Sequence, residues 1–221
     1  MTDDSFFREV QEEIRQEKAK ALWDRYGAVL IGLAVAIVLA TIGFVAYEYW
    51  REMRSGSAGD AFGQALQLAR DGKNDEALAA LKQIEENAHG AYPVLARMRA
   101  ATVLAEKGDA AAAVAAFDAV AKDSSADVAL KDIARLRAGL LLVDSGSYAD
   151  VADRVQTLAG DTNPMRSAAR EALGLSAWKE GKGEEAMKHF EQIANDDAAP
   201  QDARQRANLM IELLRSSGIK S

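Results

Sequence analysis

Cysteine is absent from the 221 residues, which excludes disulfides and thiolate metal sites. Proline occurs three times in the whole chain, so long stretches contain no residue that would break a helix. Aromatic residues make up 6%, a poor supply for a β-sandwich core and a good match to thin, alanine-rich helix packing. No basic excess exists either. Lys and Arg number 27 against 34 Asp and Glu, a net charge of −7, so the electrostatic footprint of a nucleic-acid binder is missing.

Catalytic patterns are lacking as well. The two histidines, His89 and His189, lie far apart in sequence, and neither belongs to an H-E-x-x-H cluster. His89 falls in an AHGAYP turn and His189 beside Phe190, and both read as surface positions. The GKG at 181–183 has no strand before it and no Ser or Thr after its lysine, so it is not a phosphate loop. No G-x-S-x-G elbow gives any serine nucleophile context. The sequence therefore predicts no enzyme, no metal and no cofactor.

Two features stand out against this background. The first is GAVLIGLAVAIVLATIGFVAY, residues 27–47, which carries no charge. At about 1.5 Å per residue this run covers the roughly 30 Å core of a bilayer, and helix is the only structure a lone span can take there. Trp23 and Tyr26 flank one end and Tyr47, Tyr49 and Trp50 the other, as interfacial anchors do. The charged sequence ahead of the run disfavours a cleaved signal peptide. Arg8, Arg15, Lys18, Lys20 and Arg25 precede it and only Arg51 and Arg54 follow closely, which predicts a cytoplasmic N-terminus and an exported C-terminal domain. Within the run Ala28, Gly32, Ala36 and Ala40 form a strip of small residues, a candidate face for packing on another transmembrane helix.

The second feature is a repeat. GKNDEALAALKQI (72–84), GDAAAAVAAFDAV (108–120), GSYADVADRVQTL (146–158) and GKGEEAMKHFEQI (181–193) start at spacings of 36, 38 and 35 residues. Each glycine falls where one helix must turn into the next, a position that favours positive φ. Five residues on stands a compact residue, Ala77, Ala113, Val151 or Ala186. Leu81, Phe117, Val155 or Phe190 follows, then Ile84, Val120, Leu158 or Ile193, which completes the buried stripe of one helix. Helix pairs are expected over 60–86, 92–122, 126–159 and 164–195. A last helix from Pro200 to Ser216, with Ala203, Ala207, Met210 and Leu214 on one face, is expected to cap the stack.

These segments resemble tetratricopeptide repeats. Ala65, Ala101, Gly139 and Gly174 stand where the family wants a small residue, and Leu68, Leu104, Leu142 and Ala177 complete an apolar column. The family's aromatic near the start of the first helix is replaced by Ala61, Arg97, Arg135 and Arg170. The expected fold is all-α: a single N-terminal transmembrane helix, then a tetratricopeptide-like solenoid of about four helix pairs with a capping helix. The expected segments are a cytoplasmic amphipathic helix (1–26), the span (27–47), a linker (48–59) containing the flexible SGSAG, and a periplasmic repeat domain (60–221).

Taken whole, this order resembles the ancillary subunit of the bacterial SecYEG translocon, the YfgM-like family. The resemblance implies an inner-membrane protein whose periplasmic repeats act beside the translocon and periplasmic chaperones on exported polypeptides. A scaffold for another envelope assembly, such as a cell-division or cell-wall complex, is the alternative. The family's inner-surface positions map to Phe62 and Leu66, Met98 and Thr102, Leu136 and Leu140, then Leu175 and Trp178, a candidate groove for a peptide or partner helix. Trp178 reads either as a ligand anchor or as packing beneath the 200–216 helix.

Overall fold

The computed structural model describes residues 57–219 continuously, together with residues 20, 26, 29, 31–33 and 35–47. The chain divides into two units, Met1–Arg54 and Ser55–Ser221. In the first unit, 35–47 is helical and every side chain of that stretch is exposed. Thr41 Oγ1 donates to the Ile37 carbonyl at 2.8 Å, as a hydroxyl in an apolar helix does when no other acceptor is near. Among the described residues, no helix is long and apolar enough to cross a membrane. Residues 27, 28, 30 and 34 of the expected span, with Ala28 of its small-residue strip, lie outside the described residues, as does nearly all of the expected 1–26 helix.

The second unit is helical throughout, without a strand among its described residues. Helix α1 covers 57–70, so the end of the expected linker is already helical. After it come α2 (Asn74–Asn87), α3 (Tyr92–Glu106), α4 (Ala110–Lys122), α5 (Val128–Ser145), α6 (Tyr148–Val155), a 3₁₀ turn (Gln156–Ala159), α7 (Arg166–Lys179), α8 (Gly183–Ala194) and α9 (Gln201–Ser216). Each helix packs on the next, and α5 also touches α7, as α7 touches α9. The interior is accordingly four small cores in series, each shared by three consecutive helices: α1–α3, α3–α5, α5–α7 and α7–α9. This is the construction of a solenoid, in which a repeat buries its apolar face only against its neighbours.

The stripe read from the repeat is the stripe that is buried. Ala77, Ala113, Val151 and Ala186 have no exposure, and Leu81, Phe117, Val155 and Phe190 have at most 2%. On the partner helices the small residues set the approach. A Cβ on Gly174 would stand 2.8 Å from Cζ of Phe190, and one on Gly139 would strike Val155. Gly63, in α1, has nothing within 4 Å of that position. The pair makes a test. Gly63→Ala should stabilise by about 0.5–1 kcal/mol through helix propensity. Gly174→Ala should destabilise, because overpacking at about 1–3 kcal/mol exceeds that gain. Urea midpoints that move in the same direction for both would contradict the close-approach reading.

Three of the four turns close alike. Gly72, Gly108 and Gly181 have φ of 74°, 86° and 74°. Each donates to Ala69, Ala105 or Trp178, while the following residue donates to the carbonyl of Leu68, Leu104 or Ala177 at 2.9–3.0 Å. That double closure is a Schellman motif, and a Cβ would strain it.

Gly146 departs from the expected positive φ; its φ is −96° and its ψ −179°. Helix α5 runs on to Ser145, so Gly146 is itself the C-cap, and Ser147 starts α6 with a capping box to Asp150. The carbonyls left open are taken from outside: Lys179 Nζ donates to those of Val143, Asp144 and Gly146. Glu180 beside it accepts the Tyr148 N–H. That bond and the Lys182 ammonium hold the Glu180 carboxyl below the usual range, Lys182 contributing most.

The arginines standing where the resemblance wants an aromatic act as ties. Arg97 pairs with Asp123, just past α4, whose carboxyl is held at about 2 by Ser125 and then Arg97. Arg170 is 4% exposed and reaches Asp161, the Ala159 carbonyl at 3.0 Å and the Gln192 carbonyl at 3.3 Å, joining the ends of two repeats. Arg135 pairs locally with Asp132. Two further bidentate pairs cross between repeats, Arg154 to Asp118 and Arg206 to Glu171.

Candidate partner-binding surface

The eight inner-surface candidates fall into two groups. Phe62 packs on the α1–α3 core with its ring centroid 6.0 Å from that of Tyr92. Met98 lies against the α3–α5 core, Leu136 against the α5–α7 core and Leu175 against the α7–α9 core. Leu66 is half-buried in α1. Thr102 is engaged within the fold, its hydroxyl donating to the Met98 carbonyl at 3.0 Å and accepting from Arg137 Nη1 at 2.7 Å. Only Leu140 at 44% and Trp178 at 45% present large apolar surface outward among these positions.

The two exposed side chains belong to helices in direct contact, α5 and α7. Their positions, six and three residues before the turn glycines, lie one helical turn apart on the same face of the repeat's first helix. Lys179, next to Trp178, places its ammonium on the Asp144 carbonyl, one turn beyond Leu140. Leu140 and Trp178 thus stand exposed on two packed helices, with Arg137 one turn before Leu140. Among the described residues Arg137 has no carboxylate partner; it lies over the Phe117 ring at 5.9 Å. Sequence reading did not single out this arginine, because its register position carries no family signal.

Trp178 does not pack beneath the last helix. Helix α9 does bury Ala203, Ala207, Ile211 and Leu214 against the α7–α9 core, with Met210 beside them. That face is directed at α8, which leaves the tryptophan at the surface. His189 is the opposite correction: read as a surface residue, it is 7% exposed, and burial holds its imidazole below the ordinary value. His89 is exposed. No group of three or more metal-ligating side chains occurs among the described residues.

Packed helices, an exposed Leu–Trp pair and an unneutralised arginine form a surface suited to holding another polypeptide. Compared with known families, residues 20–215 match the family described as Tetratricopeptide repeat-like domain. No curated protein and no solved structure matches the chain.

Proposed function

Because the chain belongs to the tetratricopeptide repeat-like domain family, we propose that it is a membrane-anchored adaptor of the bacterial envelope. Domains of this kind are generally non-catalytic scaffolds for protein–protein interaction. In this reading the 27–47 run anchors the chain in the inner membrane, and the repeats stand on the periplasmic side. There they bind the SecYEG translocon, periplasmic chaperones and emerging chains. The observation that carries the binding role is the exposed Leu140–Trp178 face on contacting helices α5 and α7. Large apolar side chains left outward on adjoining helices are what a partner would bury. Two further observations support the anchored reading. The apolar run is uncharged over 21 residues, and the family match begins ahead of it, at residue 20. Tethering raises the effective concentration of nearby partners, so modest affinity suffices.

The test is co-purification of the full chain after gentle solubilisation. Translocon subunits are expected with the unaltered protein. With Leu140→Asp and Trp178→Asp together, recovery should fall about tenfold or more, the loss of a hot-spot pair. Far-UV helicity should stay unchanged, since neither residue is buried. Met98 is unsuited to this test because it packs on a core. Recovery of cell-wall machinery in place of the translocon would reassign the partner, and undiminished recovery with the double variant would place the binding face elsewhere.

A further inference from the structure

The third and fourth repeats are joined through Tyr148, the first residue of α6. It packs against both the α5–α7 core and the α7–α9 core. The Lys182 ammonium lies 4.6 Å above its ring. Its hydroxyl donates to Glu185 at 2.8 Å, and the same oxygen lies 3.3 Å from Nε2 of His189. With the phenolic proton committed to Glu185, the second contact needs Nε2–H as the donor, which fixes the neutral tautomer of His189. Nδ1 is then a bare acceptor. It is buried and has no hydrogen-bond partner.

A second proton on this ring would create a buried cation, which is costly. The charged and polar neighbours do not compensate. From α8, Glu185 and the Gln192 side chain favour a charged ring and Lys188 opposes it; from α7, Arg170 opposes it; burial outweighs them all. Across the contact, the α6 hydroxyl of Tyr148 is pushed up to about 12, by burial first and Glu185 second, so it keeps its proton.

We propose that the Tyr148–His189 contact is an acid-released latch that holds α8 and α9 against the third repeat. In the latched form His189 is neutral; when the contact opens, the ring is hydrated and free to take a proton. The latched ring titrates below the ordinary value of 6.5, and the released ring titrates near it. Above that value neither form is protonated and the latch is at full strength. Below it the released form binds more protons, so release grows as pH falls, by up to about tenfold per pH unit until the latched ring also titrates.

Amide exchange of the full chain in detergent, corrected for intrinsic rates, reads the release. Between about pH 7.5 and about pH 5.5, amides of α8 and α9 should lose protection up to about tenfold while those of α2 and α3 hold theirs. His189→Gln should remove the difference between the two pH values. Imidazole titration of the unaltered protein gives an independent readout, because it has only two histidines and His89 is exposed. His189 should titrate below the ordinary imidazole value of 6.5. The proposal is overturned if the His189 ring titrates at or above the ordinary value, if α8 and α9 lose no more protection than α2 and α3, or if His189→Gln retains the pH dependence.

Discussion

Phe190→Ala is expected to lower the unfolding free energy by about 3–5 kcal/mol, the largest loss from any single truncation in the repeats. The side chain is 1% exposed on α8, and its ring edge lies 2.8 Å from where a Cβ on Gly174 would be. Around it stand Ala177, Ala186, Ala203 and Ala207, with Met187 and Ile193 from its own helix and Ile211 and Leu214 from α9. Alanines on rigid helices have no reach with which to fill the space a removed phenyl leaves. The cavity therefore persists, and the cost lies towards the upper end of the range. Because each repeat is stabilised by its neighbours alone, the Phe190 variant should lose exchange protection first in α7, α8 and α9. Urea unfolding compared with Phe190→Leu decides the cause. The leucine keeps most of the volume and should cost less than about 1.5 kcal/mol; an equal loss in both variants would rule out the cavity.

That prediction rests on a column legible in the sequence, and its legibility has a local origin. A turn glycine fixes where a helix begins, and 3.6-residue periodicity then fixes which side chains face inward. Leu81, Phe117, Val155 and Phe190 needed nothing more to be placed in the core. The third turn was not legible, since what replaces the left-handed glycine at 146 is a lysine and a glutamate more than thirty residues downstream. His189 has charged neighbours in sequence, and its contact with Tyr148 comes from 41 residues away. Half of the candidate inner-surface positions are half-buried against cores for a related reason. Helices lined with alanine approach closely, so residues such as Met98 and Leu136 that would flank a groove are drawn into contact. Leu140 and Trp178 stay outside because no neighbouring helix of the stack covers them.

Deleting 27–47 is expected to move the protein from the membrane fraction to the soluble one altogether. The argument begins with exposure. Along 35–47, Val35, Ile37, Val38, Leu39, Ile42 and Phe44 each present more than half of their surface. Covering such side chains is worth about 1.5–3 kcal/mol apiece, so a helix of this kind does not stand in water uncovered. We propose the bilayer as the cover. A second protein could supply the same apolar contact, and alkaline carbonate separates the two cases: it strips a chain held by a partner and leaves an integral span in the pellet. Retention is expected for the unaltered chain. Arginine near the middle of a span costs about 2.5–3.5 kcal/mol, so Ile37→Arg with Leu39→Arg should shift much of the protein into the wash. The absence of cysteine makes sidedness measurable without background. Ser221→Cys introduces one thiol, and an impermeant maleimide added to intact spheroplasts should label it. Labelling only after lysis would put the repeats in the cytoplasm, where the charge asymmetry about the run would have misled and where no periplasmic partner could reach the Leu140–Trp178 face.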